Sequence, residues 1–375
     1  MSTYQLFLNG TAVDAALYDA VSTLEVEENA LLPDALRLVL PVTADKGELT
    51  RVAEDRLGPF ANVAVVATPD DAPPQCIFDG YVLSHKVQLH AGVTSSSVEV
   101  WAQDASVLMR REEHVREWRG MTDGAVADQV FDTYDFKSAP QNTKDDSPAH
   151  TEDGHTLMQR GCDLDFLRRL ARRSGRWCRV VCDGEPGKYT GYFAVPDLAG
   201  DPVATIHLND PRLAQVAALD FRWDVSRPTS VAARQAALAD PDPGGVVADT
   251  ADSGLPLLGA RGLRAFAGRE TKVLLTAPGD DAQLPGRARA LLREAGWFTG
   301  CEGVADMARL KWVLRVGQVV GVAGVGSLLS GRYLVTGVRH AISAQNHTMA
   351  FTLAGNAIGA PAPAAGGGLL AAVGL

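Results

Sequence analysis

The sequence predicts an α+β protein that is mainly β, with two similar antiparallel β-barrel domains and an inserted α/β segment. Short apolar runs punctuated by Pro and Gly occur near both ends, helical periodicity appears in the middle, and one hairpin pattern occurs twice. The chain has 375 residues, which is more than one hydrophobic core usually serves. We therefore expect several domains.

The composition excludes several classes of function. Hydrophobic residues make up 46% and charged residues 21% of the chain, as in ordinary globular proteins. The net charge of −10 favours neither nucleic acid nor an anionic membrane as partner. No leader pattern opens the sequence and no apolar run is long enough to span a bilayer, so we expect cytoplasmic assembly without membrane insertion.

The five cysteines are widely scattered, which predicts reduced thiols in a cytosolic protein. They are Cys76, Cys162, Cys178, Cys182 and Cys301.

The first predicted domain is a β-barrel over residues 1–104. Its strands begin at residue 4 and are separated by turn signals such as Asn9-Gly10. A long hairpin follows, with strands near residues 76–89 and 96–102. Such short strands with regular turn signals are typical of a barrel or sandwich.

Residues 105–200 are predicted to form the inserted α/β domain. An amphipathic helix around Phe166 carries apolar residues at helical spacing. Gly175 supplies the stop, because glycine adopts the left-handed C-terminal conformation without a Cβ clash. Alternating residues 177–182 then predict a strand.

The remaining residues predict a second barrel with an excursion. We assign residues 201–240 and 297–356 to the second β-barrel domain. Residues 241–296 are expected to be a loop plus a helix associated with the inserted domain. Residues 357–375 are rich in Ala, Gly and Pro without charge, which predicts a flexible apolar tail.

The two hairpins form an internal repeat. An ungapped offset of 251 residues places Gly80 on Gly331 and Val100 on Phe351. A glycine opening each hairpin allows a close backbone approach or a bulge. Because both hairpins lie in β-rich regions, the pattern indicates a duplicated domain.

Two motifs carry a resemblance to a known family. They are Cys162-Asp-Leu-Asp-Phe-Leu-Arg-Arg-Leu170 followed by Gly175, and Ser330-Gly-Arg-Tyr-Leu-Val-Thr-Gly-Val-Arg-His340. In these, and over nearly the whole chain to about Asn356, the sequence resembles the phage late control D family and the hub part of VgrG-like spike proteins. These are baseplate hubs of contractile phage tails and injection systems.

The resemblance implies a structural role. Such hubs are homotrimers whose paired barrels form a pseudo-six-fold ring between a six-fold tail tube and a three-fold spike. The expected partners are therefore a second and third copy of the chain, a tail tube protein, a spike protein and other baseplate proteins. VgrG-like chains continue into an OB-fold and a needle, which this sequence lacks, so we expect a separate spike polypeptide.

The structural and interface candidates come from the repeated hairpins and the central helix. Asp163 and Asp165 lie at the start of that helix, point to different sides and complement its dipole. The helix arginines are either a solvated face or an interface, and the sequence leaves both open. The full candidate set is Gly80, Tyr81, Gly331, Tyr333, Asp163, Asp165, Phe166, Arg168, Arg169 and Arg172.

No residue pattern supports catalysis, a cofactor or a metal. Cys178 and Cys182 would lie about 13 Å apart on one strand, too far for one zinc ion. The glycine-rich stretch 321–326 lacks the Lys-Ser/Thr of a nucleotide-binding loop.

Two alternatives to a hub stay open at this point. One is a cell-wall hydrolase, for which Glu152, Asp153 and His155 would be the first residues to test. The other is a receptor-binding or glycan-binding β module.

Overall fold

The computed structural model describes most of the chain. The described residues are 3–45, 47–52, 54–70, 72–91, 96–151, 156–182, 184–209, 215–235, 246–277, 281–343 and 345–360.

The first β region precedes residue 105. Its elements are β1 (Thr3–Leu8), β2 (Thr11–Ala12), α1 (Ala15–Ala20), β3 (Thr23–Asn29), β4 (Ala35–Pro41), β5 (Ala44–Asp45), β6 (Glu48–Leu49), a 3-10 helix (Asp55–Leu57), β7 (Asn62–Thr68), β8 (Gln75–Gln88) and β9 (Ser97–Asp104).

The inserted region follows. Its elements are a 3-10 helix (Ala105–Arg110), β10 (Glu113–Trp118), α2 (Asp123–Thr133), β11 (Lys137–Ser138), a 3-10 helix (Pro140–Thr143), β12 (Leu157–Cys162), α3 (Asp163–Ser174), β13 (Trp177–Cys182) and β14 (Tyr189–Ala194).

The second β region contains the remaining elements. They are β15 (Thr205–His207), β16 (Val216–Trp223), β17 (Ser230–Gln235), β18 (Val246–Thr250), β19 (Arg261–Gly262), α4 (Leu263–Ala267), β20 (Lys272–Ala277), a 3-10 helix (Asp281–Gln283), α5 (Leu284–Gly296), β21 (Thr299–Asp306), α6 (Met307–Leu310), β22 (Val319–Ala323), α7 (Gly326–Leu329), β23 (Gly331–Ile342), β24 (His347–Gly355) and β25 (Ala357–Ile358).

One large sheet connects the two β regions. Its order is β2-β1-β7-β8-β9-β4-β3-β23-β24-β21-β16, with β22 and then β15 attached to β23. Every pairing in it is antiparallel except β15 with β22. The predicted mainly β, α+β class is confirmed. Neither of the two predicted barrels is closed in the described residues, because no pairing among them joins β1 to β3 or β15 to β16.

Each β region contributes six strands in the same spatial order, which we call the first and second six-strand units. The first unit is β1-β7-β8-β9-β4-β3, and the second is β15-β22-β23-β24-β21-β16. Taken in chain order, the strands correspond one to one. The units differ at one edge, where β1 and β7 are antiparallel but β15 and β22 are parallel. The second unit also carries an excursion from β17 to α5 where the first has a short turn.

The two predicted hairpins form, but their registers correct the ungapped match. The first strand of each hairpin has a bulge, at Leu83 in β8 and at Thr336 in β23. Matching these bulges places Gly80 on Tyr333 rather than on Gly331. The slip is two residues, so every side chain keeps its side of the sheet. Because a shift of two residues keeps the same side chains on the inside of the sheet, the hydrophobic pattern alone does not distinguish the two alignments.

Strand alternation supplies the core of both units. In β3 and β4 every second side chain is buried, as at Leu24, Val26 and Leu38. These residues and Phe351 of the second unit belong to one continuous apolar cluster. The two units therefore share a core as well as a sheet.

The central helix forms as predicted and carries the inserted core. The buried face of α3 packs Phe166 against Trp118, with the two rings stacked at 6.3 Å. Gly175 ends the helix at φ 65°. A Cβ there would lie 2.8 Å from the Cα of Ala290 in α5, so glycine also permits the two helices to approach.

Three segments depart from the predicted domain plan. β17 lies inside the predicted second barrel but pairs with β18 and β20 in a separate sheet. β18 lies where a loop was expected. β25 pairs with β19, so the start of the predicted flexible tail is docked on the chain, while residues 361–375 lie outside the described residues.

Candidate assembly interfaces

The large sheet has one joint between its units, and several strand edges in it, including parts of β8 and β16, have no partner among the described strands. At the joint, β3 pairs with residues 337–342 of β23. The corresponding part of β8, residues 84–88, pairs only with β9, and β16 pairs only with β21, among the described strands. Free strand edges present unpaired backbone groups that can join another chain.

The joint buries its central residues. Val26 and His340 are directly opposite each other and both are fully buried. On the opposite, exposed side of the sheet, the Arg339 guanidinium lies 2.7 Å from a Glu25 carboxylate oxygen. The joint thus combines a buried face with a surface ion pair.

A buried carboxylate, Glu28, links three parts of the chain at this joint. Arg315 donates to it at 2.6 Å, His340 lies 3.2 Å away, and Arg179 of β13 lies 3.8 Å away. Burial opposes its ionisation, but the charge of Arg315 and the contact with His340 outweigh burial and hold the pKa of Glu28 at about 2. Removal of one partner from such a cluster leaves an uncompensated buried charge.

Arg179 fastens the inserted region to the joint. Its guanidinium lies 3.2 Å from the Asp34 carboxylate and donates to the Val316 carbonyl at 3.2 Å. Burial raises the pKa of Asp34 to about 7, although Arg179 works against this. One arginine therefore contacts both six-strand units.

A histidine pair lies beside the same cluster. His340 Nδ1 and His347 Nε2 are 2.9 Å apart, and both side chains are buried. Burial and the neighbouring His340 lower the pKa of His347 to about 3. Within the pair, His340 is the residue that lies opposite β3, at Val26.

The expectation of reduced thiols is wrong for two cysteines. Cys76 of β8 and Cys182 of β13 form a disulfide, with Cα atoms 5.9 Å apart. The fold brings together residues 106 positions apart in sequence, which scattered spacing cannot reveal. Cys162, Cys178 and Cys301 are unbonded and buried, as expected for core cysteines.

The disulfide also bears on metal binding. Cys76, Cys182 and Asp79 form one grouping of potential metal ligands in the described part of the chain. The two sulfurs are joined to each other, and the Asp79 carboxylate accepts hydrogen bonds from Asn62 and Tyr189. This group acts as a structural clamp between β8 and the inserted region.

Several predicted site residues have structural contacts inside the subunit. The buried Asp163 carboxylate accepts hydrogen bonds from Tyr134 at 2.7 Å and Gln159 at 2.5 Å. Phe166 is a core residue, and the buried Tyr333 donates its hydroxyl to a backbone carbonyl at 2.8 Å.

The two hairpin glycines differ in their surroundings. A Cβ on Gly80 would lie only 2.0 Å from the Gln103 carbonyl oxygen, whereas a Cβ on Gly331 would have 3.5 Å to its nearest neighbour. The predicted close approach therefore occurs at Gly80. Tyr81, beside it, is half-buried against the inserted core.

The helix arginines divide between two environments. Arg168 is half-buried, and its Nε is shielded from solvent. Arg169 and Arg172 are exposed, and Arg169 donates to a carbonyl of β12 at 3.0 Å. Asp165 is also accessible and lies 3.9 Å from Arg110. Only this exposed subset can reach a partner from the predicted helix set.

Sequence reasoning missed the charges at the joint. Glu28, Arg179 and Arg315 are distant in sequence and belong to no motif that predicts their contact, and His340 is known only as the last residue of the second motif. A usable signal existed in β3, where Glu28 occupies an inward position in a strand of buried alternate residues. A charge at such a position is costly unless it is paired.

Comparison with solved structures reveals the fold. A tail protein from Neisseria meningitidis MC58 aligns with a TM-score of 0.62 at 15% identity, covering 94% of this chain and 96% of that one. The 43 kDa tail protein of prophage MuSo2 from Shewanella oneidensis aligns with a TM-score of 0.65 at 12% identity, covering 96% and 100%. In its fold, the chain is similar to phage tail proteins.

The tail-protein fold extends to secretion machinery. A component of the E. coli type VI secretion system aligns with a TM-score of 0.56 at 15% identity, covering 95% of this chain and 79% of that one. The predicted resemblance is confirmed at the level of fold. No protein-family model matches the sequence, and no curated protein matches it. None of the helices in the described ranges has the length and apolar character needed to cross a membrane.

Proposed function

We propose that the chain is a structural baseplate hub, a homotrimer that adapts a six-fold tail tube to a three-fold spike in a contractile phage tail or injection machine. The observation that carries the proposal is the repeated six-strand unit. A three-fold particle can present six near-equivalent surfaces only if each subunit contains that surface twice. The likeness to tail and type VI secretion proteins supports the same role.

The joint between the units supports a rigid ring subunit. The shared sheet, the apolar cluster and the Glu28 network fix one unit against the other. An adapter that transmits symmetry needs such a fixed angle, because movement at the joint would destroy the six-fold match. The disulfide between Cys76 and Cys182 attaches the inserted region to this frame.

The proposed partners follow from this role. They are two further copies of the chain, a tail tube protein, a separate spike protein and other baseplate proteins, assembled in the cytoplasm into a particle. Enzymatic activity plays no part in the proposal. The hydrolase candidates Glu152, Asp153 and His155 lie outside the described residues, and no observation favours them over the structural role.

Native mass spectrometry tests the proposal. The purified full chain is expected to have three times the 39.7 kDa subunit mass, and added tube protein is expected to give a heavier complex that contains three copies of the chain. A peptidoglycan-release assay on the same sample is expected to give no product. A species that stays monomeric at every concentration, with and without tube protein, would overturn the hub proposal.

A further inference from the structure

We propose that the free edge of β16 pairs with the free edge of β8, residues 84–88, in a second copy of this chain, with Lys86 of one copy diagonally across the contact from Asp220 of the other. The inference rests on the proposed homotrimer and adds its interface and register. It follows from treating the β3–β23 joint as a template, because β3 corresponds to β16 and β23 corresponds to β8.

The strand registers fix which residues correspond. In the first unit, the residue that follows the bulge in β8 pairs with a residue of β9. That residue of β9 pairs with Arg37 of β4, which in turn pairs with Glu25 of β3. In the second unit, the residue that follows the bulge in β23 pairs with a residue of β24. That residue of β24 pairs with Glu302 of β21, which in turn pairs with Asp220 of β16. Glu25 and Asp220 are therefore equivalent, and both are acidic.

The other side of the joint gives the basic partner. Arg339 is the third residue after the bulge in β23, and Lys86 is the third residue after the bulge in β8. Within the subunit, Arg339 and Glu25 form an ion pair at 2.7 Å. Lys86 and Asp220 are exposed, and neither has a salt-bridge partner in the described part of the chain. The same geometry between copies would pair them.

The neighbouring positions fit an edge pairing. The template places Val87 opposite Phe221 and His85 opposite Trp223. Trp223 is 54% exposed and Val87 is 37% exposed in the single chain. Pairing would remove apolar surface from water at the positions where the intrachain joint is buried.

The proposed register also brings two positive charges together. The template places Arg222 directly opposite Lys86, but Arg222 already lies 3.2 Å from Glu302 on the adjacent strand. Its charge is thus partly compensated inside its own sheet. Because β16 and β8 are different surfaces, the contact is head-to-tail and can close into a ring.

Engineered cysteines test the register. In Lys86→Cys with Arg222→Cys, the new thiols are directly opposite across the proposed contact. Oxidation can join the new thiols selectively, because Cys162, Cys178 and Cys301 are buried and the other two cysteines are bonded to each other. Oxidation is expected to give covalent dimers and trimers on a denaturing gel. The matched control, Ser84→Cys with Ala217→Cys, joins positions far apart in the register and is expected to remain uncrosslinked.

Charge reversal provides a second measurement. Lys86→Glu and Asp220→Lys are each expected to weaken trimer formation, by about 5-fold per contact for an ion pair near 1 kcal/mol. The double variant is expected to restore it, and Lys144→Glu, an exposed residue of the inserted region, to leave it unchanged.

The outcomes separate this inference from the hub proposal. A wild-type trimer in which the matched cysteines do not crosslink, and in which charge reversal has no effect, would overturn the edge pairing and leave the hub standing. A wild-type chain that remains monomeric overturns both.

Discussion

The β3–β23 joint and the free edges of β8 and β16 occupy equivalent strand positions but use different chemistry. The joint has fully buried side chains and the charged cluster around Glu28. The free edges have partly exposed apolar side chains, such as Trp223, and isolated surface charges, such as Lys86. A joint made once during folding can bury charge, because its partners are always present. Edges that form a contact between copies must first be stable in water.

The largest expected effect is at the joint. Glu28→Gln leaves Arg315 and Arg179 without their buried carboxylate, so we expect a loss of about 3–5 kcal/mol in the free energy of unfolding. Denaturant unfolding measures it. The matched control is Glu302→Gln, in an exposed ion pair, which should change stability by less than about 1 kcal/mol. Equal losses in both variants would contradict the proposed difference between joint and edge.

The repeated hairpins can be separated by their glycines. Gly80→Ala forces a Cβ into the Gln103 carbonyl, so we expect overpacking to cost about 1–3 kcal/mol. Gly331→Ala meets its nearest neighbour at ordinary contact distance and should be close to neutral. Thermal unfolding of the two variants provides the comparison. A larger effect at Gly331 than at Gly80 would contradict the close backbone approach at Gly80.

The histidine pair gives the joint a dependence on pH. Because burial lowers the pKa of His347 to about 3, below its usual 6.5, the folded chain binds fewer protons than the unfolded chain between these values. Its contribution to stability is complete above pH 6.5 and is lost as the pH falls toward 3. The slope is at most about 1.4 kcal/mol per pH unit.

His347→Gln should flatten this slope between pH 6.5 and 4.5. Asp34, whose raised pKa acts with the opposite sign, is present in both proteins and cancels in the difference. Denaturant unfolding at a series of pH values measures it. Parallel pH profiles for the wild type and the variant would rule out a buried neutral His347.

The smallest expected effect is at the surface ion pair of the joint. Arg339→Ala removes a contact to Glu25 on the exposed face, and Arg339 is itself 56% exposed. We expect about 0.2–1 kcal/mol, reduced further at high salt. Denaturant unfolding at two salt concentrations measures it. A loss as large as that of Glu28→Gln would show that the surface pair carries the joint.

Local patterns predicted much of the fold. The α3 helix, its stop at Gly175 and both hairpins follow from periodicity and glycine placement, and the structure has them. The hairpin register was less determined, because a slip of two residues preserves the inside–outside pattern. The excursion containing β17 and β18 has no such pattern, and the sequence prediction assigns it partly to a barrel and partly to a loop.

The candidate site depended on contacts that sequence does not encode locally. Cys76 meets Cys182, and Glu28 meets Arg315, only after the units and the inserted region are in place. Phe166 and Asp163 carry the recognisable motif, yet they serve the inserted core. The motif therefore indicates the fold, whereas the free strand edges are visible only in the strand pairing of the folded chain.

Single-particle images of the purified full chain would show directly whether the repeated units form one ring. We expect end-on class averages with three-fold symmetry and six lobes of similar size around an axial opening, in which strand pairing alternates within and between subunits. A two-fold particle, or a three-fold particle with only three lobes, would contradict the claim that the repeated units are equivalent parts of one ring.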